Sequence, residues 1–436
     1  MSKRQDTPGV ERRRFHPYPQ YKDSGVEWLG KIPTHWKARH LKYLSRIIMG
    51  QSPPSDIVNT LGEGRPFLQG NADFGAEHPT ARTFCPYPPK VAAPEDILIS
   101  VRAPVGAINS ADREYGIGRG LCAIRPFIRQ LGRRYCSYLL QVARSQLDSI
   151  AKGSTYDAVS ADDVSCLMLS VPSIEEQHRI SHFLDRETAK IDALIEKKER
   201  LIKLLQEKRT ALITQAVTKG IDLTVSMKDS GVEWIERIPG SWRVCPLFAA
   251  AREKEKRNYG NQVQNVLSLS YGKIIDKDVS DNFGLLPESF ETYQIVSKGN
   301  IILRLTDLQN DKRSLRVGLV RHQGIITSAY ICLDFFRDID PSYAFYLLHA
   351  YDITKVFYGL GGGVRQTMKF EDLKWLPILM PSAAEQQVIA SFLDREATKI
   401  DALISRIREA ITSLKEYRTA LIFAAVTGKM DVREVQ

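Results

Sequence analysis

The sequence predicts an α+β protein with an internal pseudo-two-fold repeat. In it, two tandem globular α+β regions are separated by two long helices packed as an antiparallel coiled coil. Three observations predict this class. The chain of 436 residues repeats itself once, each copy ends in a block with helical periodicity, and each copy contains a divergent region of short β-rich runs.

The repeat is carried by two pairs of matching segments. Residues 22–36 match 228–242 at 10 of 15 positions, and residues 172–218 match 381–427 at 27 of 47 positions without a gap. The copies diverge between these segments, but the spacing is nearly kept, so both variable regions are predicted to share one fold. A common fold with different residues in the two copies suggests two recognition modules that have two different targets.

The matching blocks at 172–218 and 381–427 are predicted to be long helices. Ser173 precedes two acids and Ser382 precedes Glu385, a pattern of N-cap and acidic first turn that is typical of helix starts. Apolar residues then recur at alternating spacings of three and four, as in a coiled-coil seam, and the rod would be roughly 65 Å long. A core helix inside each globular region is the alternative, which the length disfavours. The residues predicted to pack the helices together are Leu194, Leu201, Leu205, Leu212, Leu403, Ile407, Leu414 and Leu421, flanked by Ile191, Ile195, Ile202, Ile400, Ile404 and Ile411.

The variable regions mix short apolar runs with Gly and Pro, which argues against the regular βαβ alternation of a dinucleotide-binding enzyme core. The predicted strands are Ile97–Val101, Cys122–Ile124, Ile301–Leu305 and Ile325–Leu333, and the predicted short helices are Tyr135–Leu147 and Tyr343–Val356. The predicted boundaries are a disordered tail at 1–20, globular domains at 21–170 and 227–379, and long helices at 171–222 and 380–430.

The charge balance favours a polyanionic partner, because the formal net charge is +10. No apolar run reaches the roughly 18–20 residues of a membrane span, and the first residues lack the apolar segment of a secretory signal. The six cysteines form no C-x-x-C pair or metal-like cluster. We therefore expect reduced core thiols in a cytoplasmic protein.

Three stretches resemble catalytic or metal motifs, but each has a better structural explanation. Residues 25–31 have the spacing of a phosphate-binding loop, yet an isoleucine follows where a hydroxyl is needed. His178 and His182 have the spacing of a metal pair, but their counterparts in the second copy are Gln and Ser, so a solvated helix face is favoured. Glu371–Lys374 resembles a nuclease motif, and a surface turn is favoured there. The sequence thus predicts no catalytic residue and no metal site.

Polar and basic residues cluster at the ends of the predicted strands and in the loops. Arg suits guanine edges, Asn and Gln suit adenine, and hydroxyl or backbone donors suit phosphates. For any one residue a solvated loop is an equally good interpretation, but the set as a whole indicates DNA reading. The candidate DNA-binding residues are Gln69, Asn71, Arg102, Arg119, Lys152, Ser154, Thr155 and Tyr156 in the first variable region, and Arg304, Lys312, Arg313, Arg316, Arg365 and Gln366 in the second.

The order of these segments resembles the specificity subunit of type I restriction–modification enzymes. The resemblance is carried by Pro-Ser-x-x-Glu-Gln, Phe-Leu-Asp-Arg-Glu and Lys-Ile-Asp-Ala-Leu-Ile, which occur in both helix blocks. Asp96–Arg102, Asp112–Tyr115 and Ile117–Leu121 also resemble the target-recognition domains of that family. The second variable region departs from these stretches, with Leu305-Thr306 and Thr327-Ser328-Ala329 in their place, so residue roles are not carried over there.

The resemblance implies a non-catalytic DNA-recognition subunit of a phage-defence system. Each target-recognition domain would read one half of a bipartite, asymmetric site, and the helices would set the spacer between the halves. The implied partners are double-stranded DNA, two modification subunits that methylate adenine and two restriction subunits that translocate and cleave DNA. S-adenosylmethionine, ATP and magnesium would belong to those partners and no cofactor to this chain. A nucleic-acid-binding adaptor of another complex is an alternative, and an enzyme acting alone is disfavoured by the lack of catalytic motifs.

Overall fold

The chain divides into two units, and each unit contains part of both long helices. The structure is a computed structural model that describes residues 16–152, 158–277, 289–306, 308, 315–360 and 367–433. Unit 1 runs as far as Lys197 and includes the chain from Ala410 onward, and unit 2 is Lys198–Glu409. Each long helix therefore passes from one unit to the other near its middle.

Unit 1 is a mixed α+β unit, as predicted. Its strands are β1 (Tyr21–Asp23), β2 (Lys31–Pro33), β3 (Lys37–His40), β4 (Ser45–Met49), β5 (Arg65–Leu68), β6 (Thr83–Cys85), β7 (Val91–Ala92), β8 (Ile97–Ser100), β9 (Ile108–Ser110), β10 (Tyr115–Ile117), β11 (Leu121–Pro126) and β12 (Met168–Val171). Its helices are α1 (Arg133–Lys152), α2 (Ala161–Ser165) and the first part of α3 (Ile174–Lys219), with short 3-10 helices at Leu41–Tyr43, Ser55–Ile57 and Asn71–Asp73.

Unit 2 repeats this order of elements. Its strands are β13 (Met227–Val232), β14 (Ile235–Pro239), β15 (Arg243–Pro246), β16 (Ala251–Glu253), β17 (Leu267–Ser270), β18 (Lys273–Asp276), β19 (Gln294–Val296), β20 (Ile301–Leu303), β21 (Val317–Leu319), β22 (Gly324–Ile326), β23 (Ile331–Phe335) and β24 (Pro377–Met380). Its helices are α4 (Leu247–Ala250), α5 (Pro341–Ile353), α6 (Val356–Leu360), α7 (Phe370–Leu373) and the first part of α8 (Ala383–Val426), with a 3-10 helix at Tyr259–Asn261.

The two units share one sheet topology, which confirms the predicted common frame. The main sheet has the order β4-β11-β8-β9 in unit 1 and β16-β23-β20-β21 in unit 2, antiparallel throughout. In unit 1, β10 pairs with β7 antiparallel and with β5 parallel. In unit 2, β22 pairs with β19 antiparallel, and the parallel contact is the bridge between Val266 and Ile325.

Two predicted elements of unit 2 are divided in the structure. The run 325–333 was expected to be one strand, but a turn separates β22 from β23, where the Tyr330 amide donates to the Thr327 carbonyl at 3.3 Å. The run 343–356 was expected to be one helix, but it breaks at Lys355, whose φ of 66° lies in the left-handed region. The hydropathy of both runs is continuous, so their apolar character did not reveal the turns.

The repeated Trp and the repeated Glu-Gln pair form the contact between each sheet and its long helix. Trp36 and Trp242 are fully buried. The Trp36 indole donates to Glu176 at 3.2 Å and the Trp242 indole donates to Glu385 at 3.3 Å. Matching sequence motifs therefore make matching contacts, and they are retained in both copies because they are structural.

Part of the segment predicted to be a disordered tail is ordered. Tyr18 is buried, and its hydroxyl donates to Glu176 at 2.7 Å. Its ring lies 4.9 Å from the Arg433 guanidinium, and the Asp431 amide donates to the His16 carbonyl at 2.8 Å. The contacts of residues 16–18 come from distant parts of the chain, so local sequence could not show them.

In unit 1 the two helix segments are antiparallel. The Arg418 guanidinium of α8 lies 2.9 Å from the Asp192 carboxylate of α3. Just before α3 begins, the Ser170 hydroxyl donates to the Val426 carbonyl near the end of α8, at 2.6 Å. Residues closer to the start of α3 therefore contact residues closer to the end of α8, which confirms the antiparallel packing within this unit.

Unit 2 contains the same arrangement with the two helices exchanged. The Arg209 guanidinium of α3 lies 3.3 Å from the Asp401 carboxylate of α8. Trp242 lies beside Gly220 at the end of α3 and beside Glu385 near the start of α8. Asp401 and Arg209 are the repeat counterparts of Asp192 and Arg418, so the ion pair itself is repeated.

The helix seam uses a different row of side chains from the one predicted. Three predicted packing residues, Leu194, Leu201 and Leu403, are 43 to 44% exposed, so this part of the prediction is wrong. Leu205, Leu212 and Leu414 are half-buried, and Ile407 and Leu421 are buried. The flanking row fills much of the seam, with Ile191, Ile195, Ile400, Ile404 and Ile411 all buried. Both rows recur at spacings of three and four, so periodicity alone could not choose between them.

Among the helices of the described residues, we find none that combines the length and the apolar character needed to cross a bilayer.

Candidate nucleic-acid interface

Four predicted DNA-binding residues of unit 1 meet in one cleft. Gln69 follows β5, Arg102 follows β8 and Arg119 follows β10, and strand pairing brings these three ends to one side of the unit. Asn71 begins the 3-10 helix beside them. The cleft has a volume of about 490 Å³ and is lined by Ser52, Pro53, Ser55, Val58, Gln69, Gly70, Asn71, Arg102, Ala103, Arg119 and Gly120.

Close backbone contacts build the floor of the cleft. The Gly118 amide donates to the Leu68 carbonyl at 2.8 Å, and the Gln51 amide donates to the Ile117 carbonyl at 2.9 Å. A Cβ at Gly120 would lie 2.6 Å from the Gln69 carbonyl oxygen, which is too close for any side chain. Glycine next to Arg119 therefore lets two strand ends touch while the arginine side chain remains exposed.

The cleft has the chemistry of a nucleic-acid contact. Two guanidinium groups, two side-chain amides and two serine hydroxyls line it, and none of its described lining residues is acidic. Guanidinium groups can bind guanine edges or phosphates in bidentate fashion, and amides can do the same with adenine. The surface can thus bind a polyanion and distinguish bases.

Acidic residues near the starts of β8 and β10 make hydrogen bonds within unit 1 and do not line the cleft. Asp96 is buried and accepts two hydrogen bonds of 2.8 Å from Arg125. Hydrogen bonds from Arg113 and Tyr115 lower the pKa of Asp112 to about 2, and burial raises the pKa of Tyr115 to about 12. Asp96 thus links the start of β8 to β11, and Asp112 links Arg113 to Tyr115.

One candidate of unit 2 is wrong and another is only partly accessible. Arg316 is completely buried, and its guanidinium donates to the carbonyls of Arg304 and Thr306 at 3.0 and 2.8 Å and to the Tyr358 hydroxyl at 3.2 Å. Because its guanidinium is buried, Arg316 cannot contact DNA in this conformation. Its hydrogen bonds instead stabilise the segment after β20. Arg304 is half-buried. A basic residue after a strand was interpreted as a surface contact, and the sequence carried no sign that it turns inward.

The remaining candidates lie where the structure gives no side-chain description. Lys152 ends α1, and nothing further is described of its side chain. Outside the described residues lie Ser154, Thr155, Tyr156, Lys312, Arg313, Arg365 and Gln366.

The cleft also contains residues that the sequence analysis did not single out. Ser52 and Ser55 line it, and the Arg119 amide lies 3.5 Å from the Ser52 hydroxyl. Both serines belong to a Ser-Pro-Pro-Ser run that begins three residues after the end of β4. A Ser-Pro-Pro-Ser run after a strand predicts a loop with hydroxyl donors, so the sequence contained an indication of these two serines.

The other motif-like stretches are structural where they are described. Residues 25–30 lie in the turn between β1 and β2 and Lys31 begins β2, and the Lys429 ammonium donates to the Leu29 carbonyl in this turn at 2.9 Å. Lys374 pairs with Glu371 on the surface at 2.7 Å. Within the described part of the chain, no three His, Cys, Asp or Glu side chains are grouped as metal ligands.

A family model described as the type I restriction modification DNA specificity domain matches residues 33–204 and 286–413. A Methanocaldococcus jannaschii protein named "Putative type I restriction enzyme MjaX specificity subunit" is 36% identical over 193 residues, which is 44% of this chain and 44% of that protein. The type I restriction enzyme MjaIX specificity subunit of the same organism is 22% identical over 97% of this chain and 99% of its own length.

Solved structures show the same fold. One comes from a study of complex assembly and conformational transition of the type I R-M system. It has a TM-score of 0.64 and 16% identity, covering 92% of this chain and 99% of its own. The HsdS subunit from Thermoanaerobacter tengcongensis has a TM-score of 0.50 and 17% identity, covering 92% of this chain and 98% of its own. At these identities the likeness concerns the fold alone.

Proposed function

Because this chain belongs to the type I restriction modification DNA specificity domain family, we propose that it is a specificity subunit whose two units each read one half of a bipartite, asymmetric DNA site. The observation that carries this proposal is the combination of one topology with two different surfaces. The same strand ends bear Gln69, Arg102 and Arg119 in unit 1, whereas a Thr-Ser-Ala turn occupies the position after β22 in unit 2.

The same reasoning extends to the partners. The helix blocks carry repeated residues, so they present matching chemistry twice, which suits two copies of one partner. We expect two modification subunits that bind S-adenosylmethionine and methylate adenine, and two ATP- and magnesium-dependent restriction subunits. This chain would select the DNA sequence, and the chemistry would occur in those partners.

The test is methylome sequencing of cells that express the full chain with its modification subunit. We expect a bipartite methyladenine motif that disappears when the chain is omitted. Exchanging residues 45–170 for the corresponding region of another family member should change one half of the motif and leave the other intact. A soluble complex that adds no motif, or an exchange that alters both halves, would contradict the proposal.

A further inference from the structure

The turn between β17 and β18 of unit 2 places a tyrosine in an unfavourable backbone conformation. Ser270 pairs with Lys273, so the loop consists of Tyr271 and Gly272 alone. Their φ angles are 46° and 75°, both in the left-handed region. Two-residue hairpin turns of this kind favour Asn followed by Gly, because bulky side chains are strained there.

The turn is held firmly, but the tyrosine side chain is not part of what holds it. A Cβ at Gly272 would lie 3.1 Å from the Leu315 Cβ atom, and a Cβ at Gly318 would lie 2.5 Å from Leu269. The Lys273 ammonium is 3.7 Å from the Asp401 carboxylate. Tyr271 itself is 82% exposed. Burial of the ring therefore does not compensate for the unfavourable backbone conformation. The packed turn instead holds the ring exposed to solvent.

The turn belongs to the connection of unit 2 that is equivalent to the β5–β6 connection of unit 1. In unit 1, β5 runs parallel to β10 and leads directly into Gln69 and the β5–β6 connection. In unit 2, the chain entering β17 runs parallel to β22 and leads into Tyr271 and the β17–β18 connection. The two connections are topologically equivalent, and the one in unit 1 contributes Gln69, Gly70 and Asn71 to the cleft.

We propose that Tyr271 is a specificity-determining residue whose ring contacts bases in the half-site read by unit 2. The inference rests on the proposed function and names a residue for it. A partner that binds twice would be recognised by residues that both copies share, as in the helix blocks. Tyr271 has no tyrosine counterpart in the β5–β6 connection, as expected for a residue that reads a half-site of its own. An exposed aromatic ring can contact a thymine methyl group or stack on a base.

The experiment uses the full chain in complex with its modification subunit and reads each half of the motif separately. Tyr271→Asn suits the left-handed turn and removes the ring, and Tyr271→Phe keeps the ring. Tyr87→Asn is the matched control, since Tyr87 is 84% exposed in unit 1 and does not line the cleft. We expect Tyr271→Asn to lower methylation of the wild-type motif roughly tenfold, or to relax one or two positions of a single half. Tyr271→Phe should stay within about twofold of wild type, and Tyr87→Asn should leave the unit 2 half unchanged.

Thermal melting separates recognition from a structural role. Asn tolerates the left-handed region, so Tyr271→Asn should melt at or above the wild-type temperature. Unchanged methylation in Tyr271→Asn, or an equal loss of methylation at both halves of the motif, would exclude this role of Tyr271. A lowered melting temperature of Tyr271→Asn would exclude it as well. So would a loss of methylation in Tyr271→Phe as large as the loss in Tyr271→Asn. A wild-type complex without any bipartite motif would contradict the proposed function itself, whereas a bipartite motif that ignores Tyr271→Asn would contradict only this inference.

Discussion

Arg102 and Arg316 were predicted to have the same role, and their environments now predict opposite effects. Arg102→Ala should weaken recognition of one half-site by about 1–3 kcal/mol and leave the melting temperature unchanged, because the side chain is exposed in the cleft. Arg316→Ala should lower the free energy of unfolding by at least about 2 kcal/mol, because it removes the donor for buried carbonyls. Quantitative DNA binding and chemical denaturation measure the two effects. Arg129→Ala, an exposed arginine of unit 1 outside the cleft, is the control. A loss for Arg102→Ala that is equal on all sequences would make it a phosphate contact.

His349 predicts a pH dependence of stability. Burial, and secondarily the nearby positive charge of Arg209, lower the pKa of His349 to about 4. The unfolded chain therefore binds this proton at a higher pH than the folded chain, so stability falls as the pH drops from about 6.5 towards 4, by up to about 3 kcal/mol. His349→Gln, which introduces the residue found at the corresponding Gln141 of unit 1, should flatten this dependence in denaturation curves measured across that range. His178→Gln, at an exposed histidine whose counterpart is also Gln, is the matched control.

Among the elements, the long helices were the most predictable and their seam the least. The caps and the repeated period of three and four placed α3 and α8 within a few residues of their observed bounds. The period could not say whether the row of Leu194 or the row of Ile195 faces inward, because this depends on the partner helix. The β17–β18 turn was missed for a related reason. Tyr-Gly is not a favoured turn pair, and the packing around Gly272 that fixes it comes from residues distant in sequence.

The repeated ion pair makes a prediction at the scale of the helices. Asp192→Arg should place two like charges together in unit 1 and destabilise it by about 1 kcal/mol, since the pair is partly exposed. Adding Arg418→Asp should restore most of the loss. A double-mutant cycle measured by chemical denaturation gives the coupling, and Glu196→Arg on the exposed face of α3 is the matched control. Additive effects of the two exchanges would show that the pair does not stabilise the antiparallel contact.

At the scale of the whole molecule, the sequence could predict that there are two similar modules but only half of their candidate surface. Gln69, Asn71, Arg102 and Arg119 line one cleft because the strands before them end close together, and their role in DNA binding stays a prediction. In unit 2, choosing basic and polar residues near strand ends predicted Arg316, whose side chain is buried. The same choice did not include Tyr271, because tyrosine carries no charge. Strand position is thus readable from hydropathy, whereas side-chain direction is decided by the tertiary contacts of each loop.

The shared frame predicts that one module can replace the other. Leu41 and Leu167 close the variable part of unit 1 by a backbone hydrogen bond of 2.8 Å, and Leu247 and Leu376 close that of unit 2 in the same way at 2.9 Å. A chain in which residues 41–167 also replace 247–376 should therefore fold and keep both helix contacts. Its two recognition surfaces would be identical, so methylome sequencing should find two half-sites of identical sequence. The reciprocal chain should give the other half-site twice. A folded, assembled hybrid that keeps the asymmetric wild-type motif would show that residues 247–376 do not determine their half-site, because they are the only part of the chain that was exchanged.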